Sequence, residues 1–320
     1  MDRSCLARRN YNPKIGRSFR LLTKYLSLPE NKNRVNSKIW NLRAFVNWSQ
    51  GFLMSSNSLE SAKKNDRYGL DLGCNKGVDI KKWLHCDVNK VTFIDKDYRN
   101  IKECEDRYHN MRERNLSFYS ADFINKDFTR DDFEIERPVS IVSSHFSIYK
   151  AFESEEQASI AIMNIGKSLA LDGVFVATIT SCSTILKYLK MSKNSKEFGN
   201  DIFSINFNEA VEEDSLNFGT KFSLRFTEEN TSFEEYLVKE SLLDNLMESV
   251  GLRLLVRKPM MQMYVEEFKN SCHQRNVMSR LSVIRLNHNL KHPIKSLKLT
   301  ESERELVDLY DVVVYKKEIN

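Results

Sequence analysis

The sequence predicts an α/β fold, a mostly parallel sheet with helices on both faces. Three observations carry that expectation. Short apolar runs of strand length alternate with longer amphipathic or charged segments. A glycine-containing turn joins the first such run to the helix after it. An acid, Asp95, ends the next run about twenty residues on. In chain order, residues 36–54 place Ile39, Trp40, Leu42, Phe45, Val46 and Phe52 at the spacing of an amphipathic helix, and a polar linker follows over 55–67. Residues 68–72 read as a strand, 80–84 as a helix start, 90–94 as a second strand and 101–112 as a charged helix. Strands are expected at 116–119 and 138–143, then a helix over 153–169 closed by the turn Leu171-Asp172-Gly173, then a strand at 174–180. Residues 222–226, 236–238 and 312–315 read as later strands, and 260–264 as a strand or loop against the core. The polar stretches 190–200 and 267–300 read as insertions or long loops.

Composition narrows the function classes. The 320 residues are 41% hydrophobic, enough for a sizeable core. No apolar run approaches the ~18 residues of a membrane helix, and the charged N-terminus lacks the apolar stretch of a secretory leader. The six cysteines form no C-x-x-C pair, so neither a zinc ribbon nor a disulfide framework is expected, and a reducing cytosol or nucleus fits best. His85, His109, His273, His288 and His292 show no metal-ligand spacing and read as surface or loop residues; no metal site is expected. The chain carries 49 basic and 44 acidic residues, a net +5. Residues 1–25 alone hold seven basic groups against one acid, so the whole positive excess lies in that arm. Such an arm suits a nucleic-acid backbone, or it is a solvated tail or localisation signal.

The turn reads Leu70-Asp71-Leu72-Gly73-Cys74-Asn75-Lys76-Gly77-Val78-Asp79. Strand, turn, helix, strand and acid together form the nucleotide-binding half of a doubly wound fold. Gly73 lets the backbone approach a ligand closely, and Asn75 is a side chain tolerated at positive φ. Asp95 stands where it can accept two ribose hydroxyls. The spacing is not the three-glycine dinucleotide fingerprint.

Several ordered blocks then resemble the mRNA cap guanine-N7 methyltransferase family, from about residue 36 to the C-terminus. Leu42-Arg43-Ala44-Phe45-Val46-Asn47-Trp48 is similar to the family's L-R-N-F-N-N-W. Residues 71–83 are similar to D-L-G-C-G-K-G-G-D-L-x-K-W, and residues 143–154 to S-x-Q-F-x-x-H-Y-x-F-E-S. Further matches are Phe198-Gly199-Asn200-Asp201-Ile202-Phe203, Glu235-Tyr236-Leu237-Val238, Leu299-Thr300-Glu301-Ser302 and residues 309–317.

The resemblance implies a Rossmann-like, S-adenosylmethionine-dependent methyltransferase fold with a mostly parallel seven-stranded sheet. It implies a basic, partly flexible arm over 1–35 and one domain over 36–320, with cap-pocket insertions near 187–235 and 267–300. The implied reaction moves a methyl group from S-adenosylmethionine to N7 of the cap guanosine, with capped RNA and other proteins of the capping apparatus as partners, in the nucleus and not at a membrane. No acid–base residue is expected, because the chemistry is alignment of a lone pair with a charged leaving group. Positioning falls to Glu235, Tyr310 and Tyr149. The cofactor would meet Gln50, Asp71, Gly73, Gly77, Asp95, Asp122 and His145, with Asp127 the alternative to Asp122 near the adenine. The cap would meet Asn47, Lys76, Phe146, Tyr149, Lys150, Glu235 and Tyr310, with Lys76 on its phosphates, Glu235 on the guanine edge, and Phe146 and Phe152 as apolar wall.

The chain departs from the family pattern at Gln50 (a lysine), His145 (a glutamine), Tyr149-Lys150 (H-Y), Thr180 (a proline), and Asn75 and Val78 (glycines). An active, divergent enzyme is the first expectation. A degenerate paralogue that binds capped RNA or a capping partner without efficient transfer is the second, and a methyltransferase of the same fold with another substrate the third.

If the arm contacts RNA phosphates, deleting residues 1–25 should flatten the salt dependence of RNA binding. Each lost contact removes about 0.7 from the slope of log K against log salt on single strands. Filter binding across a salt series checks this, and equal slopes would remove the arm from any RNA role.

Overall fold

The protein is described here from a computed structural model, which covers residues 39–58, 67–114, 118–192, 196–211, 216–227, 231–287 and 294–318. The basic arm lies outside the described residues. Helix α1 (Trp40–Ser58) leads into β1 (Tyr68–Leu72), α2 (Ile80–Trp83), β2 (Lys90–Asp95), α3 (Tyr98–Arg112) and β3 (Ser120–Asn125). Then come β4 (Val139–His145), a 3-10 turn (Ile148–Glu153), α4 (Glu155–Ser168), β5 (Leu169–Thr180) and α5 (Cys182–Met191). Strands β6 (Glu197–Gly199), β7 (Phe203–Phe207), β8 (Lys221–Phe226) and β9 (Thr231–Tyr236) form a separate four-stranded antiparallel sheet. The chain closes with α6 (Glu240–Ser249), β10 (Leu252–Pro259), α7 (Met260–Asn270), α8 (Cys272–Arg280), the hairpin β11 (Ile284–Asn287) and β12 (Ile294–Leu297), α9 (Glu301–Asp308) and β13 (Tyr310–Lys317).

The large sheet has seven strands in the order β10-β13-β5-β4-β1-β2-β3. Six strands, β10 among them, run in one direction, and β13 alone is reversed, antiparallel to both of its neighbours β5 and β10. The expected sheet is therefore present. Its central strands are buried on both faces, as helices on both sides require. Along β13, Val312 and Val314 enter one apolar cluster with α1, α3 and α7, while Val313 and Tyr315 enter another with α4 and α6. Strand order reverses between β1 and β4, the place where ligands bind outside the carboxyl ends of such sheets.

Local chemistry sets the bounds of the elements. Asp97 caps α3 by accepting the Arg99 N–H at 2.9 Å, and Ser154 caps α4 through Gln157. Thr300 and Glu303 form a capping box on α9. Glu303 also accepts the Leu42 N–H at 3.2 Å, so one orphan donor of the α1 N-terminus is met by α9. Trp48 donates to Gln274 Oε1 of α8 at 3.2 Å.

Several expectations are corrected. The third strand starts at Ser120, beyond the expected 116–119: Tyr119 instead packs on Tyr108 and donates to the Ile80 carbonyl at 2.9 Å. The strand expected at 236–238 is β9, ending at Tyr236. Residues 260–264 open a helix whose Met260, Met263 and Tyr264 are buried at helical spacing. The stretch 267–300 contains α8 and a hairpin rather than only loop. The turn at Leu171-Asp172-Gly173 lies within β5 as an irregularity, with Asp172 at φ 64.

Gly69 on β1 faces the Trp83 ring, and a Cβ there would stand 2.4 Å from Cζ3. Gly69→Ala should therefore cost about 1–3 kcal/mol through overpacking. Urea unfolding checks this, and an unchanged midpoint would mean that Trp83 can yield.

Candidate active site

The site is built at the carboxyl ends of β1, β2 and β4. The N–H groups of Gly73 and Cys74 both donate to the Ile94 carbonyl, at 2.9 and 3.0 Å, which binds the turn after β1 to the end of β2. Asp95, 8% exposed, then accepts three donors: the Asn75 N–H at 2.9 Å, the Asp97 N–H at 2.9 Å and the Asn100 amide at 3.1 Å. Asn75 takes φ 50, in the left-handed region expected of it. Gly73 has φ 73, and a Cβ on it would lie 2.6 Å from the Ser147 Cβ. Ser147 is fixed in turn by donating to the Leu72 carbonyl at 2.7 Å. So Gly73 is required by a protein neighbour as well as by its place in the lining.

Two cavities meet here. One, of about 550 Å³, is lined by Gly73, Asn75, Val78, Asp79, Asp95, Asp127 and His145, among others. The other, of about 710 Å³, is lined by Arg43 and Asn47 of α1, Leu224, Phe226, Phe233 and Glu235 of the small sheet, and Tyr149 and Tyr310. Asn75, Phe146 and Lys150 line both. Phe146 has φ 52 and meets Tyr310 edge to face, with centroids 4.9 Å apart.

Charge is controlled by burial. Glu235 is 4% exposed and its Oε2 has no partner among the described residues. Burial pushes its carboxyl up to about 7, against the Tyr149 hydroxyl and the Lys150 charge, which favour ionisation. Burial holds the Tyr149 and Tyr310 phenols well above their ordinary value. Burial likewise pushes His145 down to about 4, so the imidazole is neutral, with Nδ1 2.7 Å from the Thr178 hydroxyl. Beneath it, Asp79 and Lys82 form a close buried ion pair. Burial and then the charge of Asp79 push Asp71 up to about 8.

The structure brings Asn47, Tyr149, Glu235 and Tyr310 to one cavity, Gly73, Asp95 and His145 to the other, and Phe146 and Lys150 to both. The other expected residues lie elsewhere. Lys76 is exposed and paired with Glu103 at 2.8 Å, outside both linings. Asp122 sits inside edge strand β3, bound to Lys90 at 2.8 Å, because that strand begins later than expected. Asp127, the alternative, lines the smaller cavity. Asp71 is buried beneath the turn, where it accepts the Trp83 N–H at 2.9 Å. Gly77 has φ 72 and packs against Ile80 and Cys104. Gln50 is buried in α1 and lines neither cavity. Phe152 is buried in the core and stacks on Phe218. His85 is partly buried rather than a surface residue, and burial pushes it down to about 4. His288 and His292 lie outside the described residues. Sequence reasoning missed Arg43 and Phe233 as lining residues; Arg43 stands one helical turn before Asn47, a spacing that could have shown it.

Residues 15–318 match the family described as the mRNA (guanine-N(7))-methyltransferase domain. The chain belongs to that family. It is 29% identical over 256 residues to an mRNA cap guanine-N(7) methyltransferase of Schizosaccharomyces pombe, covering 79% of this chain and 71% of that protein. It is 29% identical over 268 residues to the protein of that name from Drosophila melanogaster, covering 78% and 61%. For the Eremothecium gossypii protein of that name the identity is 32% over 216 residues, covering 62% and 49%. The chain thus spans about half to seven-tenths of the length of these relatives. Among solved structures, the CcbJ methyltransferase from Streptomyces caelestis superposes with TM-score 0.52 at 13% identity, over 85% of this chain and 90% of that one. An S-adenosylmethionine-dependent methyltransferase from Clostridium acetobutylicum does so with TM-score 0.50 at 12% identity, over 92% and 98%. The fold is that of S-adenosylmethionine-dependent methyltransferases.

The two raised carboxyls give stability a pH dependence. Both have folded values above their ordinary 3.8 and 4.5. Their contribution is full below about pH 4 and is lost as pH rises through 7 and 8. His85 and His145, held neutral in the fold, oppose this between about pH 4 and 6.5. The unfolding free energy of the ligand-free protein should therefore fall with pH from about 6.5 to 8. Asp71→Asn and Glu235→Gln should each remove about one proton from that slope, as urea titrations at several pH values would read.

Proposed function

We propose that this protein is an S-adenosylmethionine-dependent methyltransferase acting on N7 of the guanosine cap of RNA. The observation that carries the reading is the meeting of the two cavities at Asn75, Phe146 and Lys150, with Asp95 in one and Glu235 in the other.

The smaller cavity suits the cofactor. Asn75 and Val78, where the family has glycines, line an open space of about 550 Å³ rather than fill it. Asp95 presents carboxylate oxygens to that space for ribose hydroxyls, and Asp127 and Phe128 line it as well. Neutral His145 keeps a cation away from that end of the cavity. Bound there, S-adenosylmethionine would supply a methyl group on a sulfonium, an electrophile that carries its own leaving group and needs no proton moved.

The larger cavity suits the purine. Glu235, when ionised, accepts from the N1–H and exocyclic amine of guanine, a pattern that adenine lacks. Its charge also favours the positive purine that N7 methylation creates. The Tyr149 hydroxyl hydrogen-bonds this carboxylate and so restrains it. Phe146 and Tyr310 wall the base. With Lys76 turned to Glu103, the cations beside the cap phosphates are Lys150 and Arg43. Catalysis then comes from alignment of the two ligands and from field, with no nucleophilic side chain. Capped RNA as substrate, other capping proteins as partners and a nuclear location belong to this proposal and draw support from the family.

Labelled S-adenosylmethionine with GpppG-capped RNA tests it. Wild-type protein should transfer label. Glu235→Gln should lose about 100-fold or more in kcat/KM for the cap, with KM for S-adenosylmethionine little changed, because each charged hydrogen bond contributes about 1.5–3 kcal/mol. Asp95→Asn should raise the S-adenosylmethionine KM with the cap KM little changed. For wild type, kcat/KM for the cap should fall below about pH 7 as Glu235 takes up a proton. Absence of transfer to capped RNA by the wild type would overturn the reading.

A further inference from the structure

The larger cavity has an aromatic rim that recognition of one guanine does not use. Phe233 lines it and is 47% exposed, whereas Glu235, two residues on along β9, is 4% exposed. Alternation along a strand puts both side chains on one face, about 7 Å apart. On the neighbouring strand β8, Leu224 pairs with Phe233 and Phe222 with Glu235. Phe226 meets the Phe233 ring at 80° with centroids 6.1 Å apart. That edge-to-face contact supports the ring from one side and leaves much of it open. Arg43 and Lys150 line the same cavity, and both carry positive charge.

We propose that Phe233 is a stacking platform for the base of the first nucleotide beyond the cap guanosine, so that the cavity binds the capped dinucleotide rather than guanosine alone. The proposal rests on the cap-guanine reading of Glu235. A guanine whose edge meets the buried Glu235 carboxylate lies at the floor. The triphosphate leads from it past the basic side chains toward the open side, where Phe233 stands. Proteins hold unpaired bases by stacking on aromatic rings, and the contact tolerates any base because each has a π face.

Binding and methyl transfer are measured with three acceptors: GTP, GpppA, and a GpppA analogue that keeps the second ribose but lacks its base. Wild-type protein should bind GpppA more tightly than the abasic analogue. Phe233→Ala should weaken GpppA about 5- to 100-fold and change GTP and the abasic analogue less than twofold. Phe233→Trp should restore GpppA binding, which separates stacking from a folding defect. An equal loss for GTP would put the cap guanine itself on Phe233 and overturn the proposal, as would no change with any acceptor. Wild-type protein that takes none of the three would overturn the cap reading itself, a result distinct from a platform that fails while GTP is still bound through Glu235.

Discussion

The Asp95 carboxylate is the joint on which the site depends. It is nearly buried, so its oxygens need donors from the protein, and three arrive: one from the turn after β1, one from its own turn and one from the first turn of α3. The bond from Asn75 matters most, because Asn75 borders both cavities. A single carboxylate thus ties the edge of the smaller cavity to its border with the larger one. A carboxylate has about four acceptor sites, so three donors leave room for a ligand hydroxyl.

Around that joint the protein keeps buried groups neutral or paired. Asp71 is pushed up and His145 down, both chiefly by burial, while Asp79 keeps its charge because Lys82 is beside it. A buried unpaired charge would be costly, and each of these arrangements avoids one. A histidine in place of the family's glutamine therefore brings no positive charge to the cavity, since burial makes the imidazole a neutral hydrogen-bonding group. At Tyr149 the replacement keeps an aromatic ring and adds a hydroxyl that reaches Glu235. The Lys150 replacement puts a cation where the two cavities share a border.

Much of the fold was legible because its strands are short apolar runs between turns with their own chemistry. Asp95, Gly73 and Asn75 were legible for the same reason, since a strand end and a left-handed turn leave a local signature. Misreadings fell where two environments share one local pattern. Phe118 and Tyr119 resemble a strand, but Tyr119 is held by α3 and by a carbonyl of α2. Lys76, in the turn, resembles a phosphate ligand until Glu103 of α3 is brought within 2.8 Å of it.

By itself the sequence determined the alternation of strands and helices, the turn and acid of a nucleoside site, and the blocks that mark the family. Those properties are written in residues close together in the chain. The resemblance had already grouped Glu235 with Tyr149 and Tyr310. Only the tertiary structure decided that Glu235 reaches them from a separate small sheet, that Asp127 rather than Asp122 lines the smaller cavity, and that Phe233 lines the larger one. Each of these depends on packing between segments far apart in sequence, and no local pattern records the distance between them.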